Sequence, residues 1–193
     1  LAATGPAEGA DYKRIEEDWE LILNTPDLSF PAPQIVVSMK PGSVSTKQAL
    51  FLINHHDTPR FNAGGGQIQI WDNDVLRTYK SFAGPTLIRE GERVTWTQYM
   101  QRSDGKFYFG LSAVSGEAWG TNTASDLGGP ISWNDWKNVF DYYDSNLSRT
   151  GATITFGDER VYSLKLVQVR KYRYIGDPNP DIEGPYTVFP LQP

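Results

Sequence analysis

Three carboxylates stand at alternate positions near the start of the chain, Glu16, Asp18 and Glu20. Alternate residues of a strand point to one face, so all three would share a surface. Retaining glycoside hydrolysis needs two carboxyl groups about 5 Å apart, roughly the scale that alternate strand positions provide. The competing reading is a charged face on an edge strand, which keeps sheets from associating.

A second set of residues suits recognition better than reaction. Gln67, Gln69 and Trp71 share one side of a strictly alternating run, with Ile68 and Ile70 on the other. Asn54 and His56, then Thr95, Thr97, Tyr99 and Gln101, then Tyr108, supply further amides, hydroxyls and rings on polar parities of their strands. If those strands are neighbours, the result is one face of bidentate amides and flat rings. Sugars offer arrays of hydroxyls and apolar C–H patches, which such a face complements. Trp119 and the loop Gly64 to Gly66 would stand at its margin. Trp96, on the opposite parity, is expected in the core.

Metal and nucleophile chemistry find less. His55 and His56 are adjacent, so on a strand they point to opposite sides and cannot jointly chelate an ion. Asp72, Asn73 and Asp74 are oxygen-rich and would suit calcium, although they lack the spacing and glycine of an EF-hand loop; a hairpin turn is the plainer reading. There is no cysteine and no G-x-S-x-G elbow, which leaves a thiolate site or serine triad without support. No cofactor is expected, with structural calcium the one ion the chain invites.

The elements that must position these residues read as strands. Alternation and apolar runs predict strands over Arg14–Leu23, Gln34–Lys40, Gln48–Asn54, Gln67–Asp72 and Leu76–Phe82. A hairpin follows over Val94–Ala113, turning at Asp104-Gly105, and then strands over Ala152–Phe156 and Arg160–Tyr174. The near-continuous apolar run Gln48–Asn54 predicts a central strand, and Thr121 to Pro130 reads as loop. From Ser132 to Leu147 the rhythm changes: Trp133, Trp136, Phe140, Tyr143 and Leu147 recur at helical intervals, and Ser132 with Asp135 resembles a capping box, predicting a short helix near 133–146.

At 193 residues, with 39% apolar and 13% aromatic content, one large β domain is expected rather than two. Residues 1–11 read as a flexible leader of the kind that follows an export signal, 12–175 as the single sandwich domain, and 176–193, with five prolines, as an extended tail that either docks on the body through Tyr186, Val188 and Phe189 or leads toward another domain or subunit. The expected location is secreted or at the cell surface. A net charge of −5 with a pI near 5.0 argues against nucleic acid, which needs a basic stripe. Arg170, Lys171 and Arg173 are the one basic cluster, read as a solvated strand end. No run approaches the roughly 18 apolar residues of a membrane span.

The order of these strands, with a first strand able to pair with the last long one, resembles the concanavalin A-like lectin and glucanase group over residues 14–174. The resemblance implies an all-β, antiparallel jelly-roll β-sandwich. That group holds lectins, carbohydrate-binding modules, glycoside hydrolases and alginate lyases, so fold leaves activity open. Glu16, Asp18 and Glu20 are similar to the E-x-D-x-E strand of laminarinase-like glucanases, which implies Glu16 and Glu20 as nucleophile and acid/base. Those enzymes, however, carry the triplet in mid-chain. Gln67-Ile68-Gln69 is similar to the Q-I-H strand of alginate lyases, with Gln69 where the histidine would stand, and their R-x-E-x-R and Y-F-K-x-G patterns are missing.

The expectation is an exported, non-catalytic domain that binds a polysaccharide or cell-surface glycan across Asn54, His56, Gln67, Gln69, Trp71, Thr97, Tyr99, Tyr108 and Trp119. The alternatives are a glycoside hydrolase using Glu16 and Glu20, and a structural subunit that meets other surface-protein subunits through its C-terminal tail.

Overall fold

The first strand, β1 (Arg14–Leu23), turns Ile15, Trp19, Leu21 and Leu23 inward with Glu17 among them, and all five are buried. The computed structural model describes residues 11–43, 45–55, 60–62, 64–82, 87–116, 120–123, 130–134, 140 and 142–190. After β1 come β2 (Gln34–Met39), β3 (Lys47–Ile53), β4 (Gly66–Asp72), β5 (Val75–Phe82), β6 (Arg93–Ser103) and β7 (Lys106–Gly116). The short strands β8 (Gly120–Thr123) and β9 (Ile131–Asn134), a helix α1 (Ser145–Gly151), β10 (Thr153–Phe156), β11 (Val161–Tyr172), β12 (Asp181–Glu183) and β13 (Tyr186–Phe189) complete the set.

These strands make two antiparallel sheets, the all-β sandwich that the strand rhythm predicts. The larger runs β12-β11-β1-β6-β7-β8, with β13 also on β11 and β9 also on β7; the smaller runs β10-β2-β3-β4-β5. Each long outer strand of the larger sheet is thus capped by two short ones, which leaves little unpaired edge. β3 is central, as its apolar run requires. β1 is not an edge strand: it lies between β11 and β6, so its acidic residues face out of a sheet interior and do not guard a rim.

The sheets meet through rings. Trp19 and Trp96 stack at 6.1 Å with planes 5° apart, and Phe51 of the opposite sheet meets Trp96 edge-on at 5.4 Å. Such a pair contributes about 1 kcal/mol beyond its area burial, and the burial itself stabilises by more than that.

Two expectations change. Ile131–Asn134 is a strand paired with β7, not the start of a helix, and the one described α-helix begins at Ser145. Phe140 and Tyr143 are buried as their spacing demands, but through a single turn in which the Tyr143 N–H donates to the Phe140 carbonyl at 3.0 Å. The helix itself starts at Asp144, whose carboxylate accepts from the Asn146 N–H at 2.8 Å. It lies hard against β2, where a side chain at Gly151 would collide with the Ser38 hydroxyl. Thr121–Thr123, expected as loop, belong to β8 and pair with β7. The extended segment docks on the body: β12 and β13 pair with β11, and Tyr186, Val188 and Phe189 pack on the core. The prolines allow this because Pro180, Pro185 and Pro190 flank the paired residues, where a missing N–H costs no ladder bond. The leader up to residue 10 lies outside the described residues, and no described helix is long and apolar enough to cross a membrane.

Glu17 is a carboxylate of β1 that is fully buried between the sheets. It accepts from Trp19 Nε1 at 2.9 Å, Gln98 Nε2 at 2.8 Å, and the hydroxyls of Tyr143 and Ser148, each at 2.5 Å. Burial pushes its carboxyl above the usual range, and the four donors only partly offset this. The folded state therefore binds this proton more tightly than the unfolded chain does. Its contribution to stability is present below the unfolded value and is lost as pH rises through the raised folded one. Glutamine at this position can accept from Trp19 and Gln98 and donate to the two hydroxyls. In urea unfolding of Glu17→Gln against the wild type, the difference should move in the variant's favour from pH 4 to pH 7.5, by about 1.4 kcal/mol per tenfold difference in proton affinity. Parallel profiles would refute the assignment.

Candidate functional site

The outer face of the larger sheet gathers residues from three adjacent strands. Register sets Glu16 of β1 opposite Tyr99 of β6 and Arg170 of β11, and Asp18 opposite Thr97 and Gln168. Alternation then adds Arg14, Gln101 and Tyr172 as the next rung.

Arg170 organises the face. Its Nη2 lies 2.8 Å from Glu16 Oε2 and 2.9 Å from Asp18 Oδ1, its Nε lies 2.9 Å from Glu16 Oε2, and its Nη1 reaches Asp18 Oδ2 and, at 3.0 Å, Gln168 Oε1. The Tyr172 hydroxyl donates to Glu16 Oε2 at 2.9 Å, and Thr97 donates to Asp18 Oδ1 at 2.7 Å. Arg14 donates from Nε to Glu16 and from Nη1 to Gln101, both at 2.7 Å, while its guanidinium covers the Tyr99 ring at 3.7 Å. Gly110 on β7 lets that ring lie flat, since a side chain there would come within 2.8 Å of the Tyr99 hydroxyl. Glu20 is paired with Arg93 at 2.5 Å.

Burial pushes the Glu16 carboxyl up, but hydrogen bonds from Arg170, Arg14 and Tyr172 outweigh it and hold the group below its usual range. Burial works against the Arg170 charge, and Asp18 and Glu16 more than compensate. The Tyr172 phenol is pushed up by burial and then by Glu16. The face is therefore fixed, half-buried and ionised. It can offer acceptors and donors to hydroxyl groups, but Glu16, bound by two guanidinium groups, is no reservoir of an acid proton.

The residues read from the sequence do not form one surface. Thr97, Tyr99 and Tyr108 lie on the larger sheet, with Tyr108 opposite Gln101. Gln67, Gln69 and Trp71 lie on the smaller one, whose outer face points the other way. Alternation told which residues share a side of a strand; it did not tell which strands share a sheet. On β4 the amides are engaged in a relay: Trp71 Nε1 donates to Gln69 at 2.7 Å, Gln69 to Gln67, and Gln67 to Ser81 at 2.8 Å. Both glutamines are buried, and what this face presents is Trp71 beside the exposed Tyr79 and Leu76.

Asn54 is buried with φ of 57°, donating to the carbonyls of Ala32 and Pro33 and accepting from the Gly64 N–H at 2.6 Å. It staples the glycine loop and presents nothing outward. His55 is exposed, and His56 and Trp119 lie outside the described residues. Asn73 and Asp74, with φ of 50° and 60°, are the β4–β5 turn. The Asp72 carboxylate accepts from Thr46 at 2.9 Å and sits 3.7 Å from Lys47. Among the described residues no group of three His, Asp or Glu is placed to hold a metal.

Arg170, expected as a solvated strand end, proved central, and its neighbours Lys171 and Arg173 are paired with Glu183 and Asp181. A signal existed: once β1 is laid antiparallel to the last long strand, Arg170 and Tyr172 share the outward parity of Glu16. Removing this cation leaves two carboxylates side by side without it, so Arg170→Gln should cost about 2 kcal/mol at pH 7, a partly exposed case of breaking an ion pair. The wild-type benefit is present above the unfolded Glu16 value and lost as pH falls, so the cost should shrink near pH 3.5. Urea melts at both pH values measure this, and an equal cost at both would refute the electrostatic account.

No known protein family matches the chain, and no curated protein matches it.

Proposed function

We propose that this is a non-catalytic carbohydrate-binding domain whose ligand lies across the outer face of the larger sheet, over Thr97, Gln101, Gln168 and Tyr172, with Tyr99 buried beneath Arg14. The observation that carries the reading is the clasp of Glu16 and Asp18 by Arg170. It preorganises donors and acceptors in rows on flat backbone, at strand spacing, and it keeps Glu16 ionised. Gln101 and Gln168 accept through their carbonyl oxygens, which leaves their amide N–H groups to donate to a ligand.

Hydrolysis by Glu16 and Glu20 is the weaker reading. A retaining glycosidase needs one carboxyl group with a raised pKa as its acid. Glu16 is shifted the other way, and Glu20 is held by Arg93. The carboxyl that is raised, Glu17, is fully buried between the sheets, where no polymer reaches it.

A glycan array on the intact chain, with calcium and again with chelator, is the test. Binding to a restricted glycan class is expected, weakened about tenfold by Gln101→Ala combined with Gln168→Ala and unchanged by Trp71→Ala. Loss through Trp71→Ala alone would move the site to the smaller sheet. No retained glycan would sink the reading, and reducing-end release from a β-glucan panel would restore the enzyme.

A further inference from the structure

At its last rung the polar face gives way to one of the other parity, where Arg102 stands opposite the buried Phe107. Beyond Arg14, Gln101 and Tyr172 the strands run on: the Lys13 N–H donates to the Tyr172 carbonyl at 2.8 Å, and the Arg102 N–H to the Lys13 carbonyl at 2.9 Å. There a cavity of about 410 Å³ opens, lined by Lys13, Arg102, Ser103, Asp104, Tyr174 and Ile175. Tyr174 and Ile175 are 57% and 54% exposed, a large apolar commitment to water for side chains that have the core as an alternative. A ring and a branched aliphatic facing a cavity suit the C–H face of one sugar unit.

The two cations already show what they take. Asp11 bridges them, one carboxylate oxygen on Lys13 Nζ and the other 2.5 Å from Arg102 Nη2. Asp11 is half exposed, so the bridge is worth little and is readily exchanged. Asp104, at the β6–β7 turn, also lines the cavity and has a carboxylate that accepts from Ser103 at 3.2 Å, which leaves an acceptor for ligand hydroxyls.

We infer that this cavity is an end subsite for a carboxylate-bearing sugar, a uronate unit, whose carboxylate replaces that of Asp11 between Lys13 and Arg102. The inference rests on the glycan reading of the adjoining face and adds its charge class. Exchange of one carboxylate for another leaves the local charge balanced, which a neutral sugar in the same place would not do if it displaced Asp11. It also gives the ligand a direction, with its acidic unit at the Tyr174 end.

The test is calorimetric titration of the full chain with galacturonate oligomers, their methyl esters, neutral galactan oligomers and sulfated galactan oligomers. The expected result is preference for the free uronate, weakened about fivefold by Lys13→Gln and by Arg102→Gln, and strengthened about threefold by Asp11→Asn, which removes the competitor. All three variants alter exposed or half-buried side chains, and thermal melts verify their folding. Equal binding of esters and free acids, with Lys13→Gln silent, would overturn the subsite and leave the glycan reading standing. Preference for the sulfated oligomers would overturn the carboxylate assignment. No binding of any oligomer, with Asp11→Asn as with the wild type, would overturn the subsite, and the glycan array separately decides the reading beneath it.

Discussion

The structure depends on β1 lying between two strands far away in sequence. Trp19 is paired with Trp96 on one side and Leu166 on the other, so neither half of the larger sheet closes until the N-terminal strand is in place. Its two faces carry different chemistry. Glu17 meets four neutral donors inside, while Glu16 and Asp18 meet Arg170 outside. A slip of one residue would expose Glu17's donors and drive two carboxylates among Trp96 and Leu166, at several kcal/mol for each ion. Register is thereby fixed by both faces at once, which a strand with an apolar inner face and an indifferent outer one would not achieve.

Glu16 and Glu17 are adjacent and shift in opposite directions. Both are desolvated and both accept several hydrogen bonds. Two things differ: Glu17 is sealed completely while Glu16 is only half-buried, and Glu16's donors include two guanidinium groups whereas Glu17's carry no charge. The smaller burial cost and the opposite charges together turn the balance at Glu16. The same logic divides the molecule functionally, for the carboxyl group best suited to hold a proton is sealed in the core, and Glu16 on the open face is held ionised.

Local pattern made the strands legible. The alternation of Arg14–Leu23 gave its bounds and both faces, and Asp104-Gly105 gave the hairpin, with φ of 50° and 71° at the turn. Pairing was harder to read. Gln69 and Tyr99 have equally good polar parities, yet they belong to opposite sheets because the chain crosses between β5 and β6, and nothing in a strand's own alternation records the crossing. The helical spacing from Trp133 to Leu147 predicts the burial of Phe140 and Tyr143, but the described parts of that span are a strand ending at Asn134 and a helix beginning only at Ser145, and Trp136 lies outside the described residues. Arg170 was missed for a related reason. A charged residue near a strand end reads as solvated until the partner strand's carboxylates are set beside it.

On the glycan reading proposed above, a face whose groups already bond one another would bind in a particular way. Glu16 Oε2 accepts three hydrogen bonds, but Oε1 accepts one, from Arg14, and Asp18 Oδ2 accepts one, from Arg170. A ligand hydroxyl can add to those spare lone pairs without breaking the clasp, so no internal bond is lost on binding. Because the side chains are already held, little rotamer entropy is lost either. Each rung then contributes modestly, since it replaces water with a hydroxyl of similar bonding power. On that reading, useful affinity would have to come from a ligand long enough to engage several rungs in succession, an extended chain along the strands and not a single compact unit.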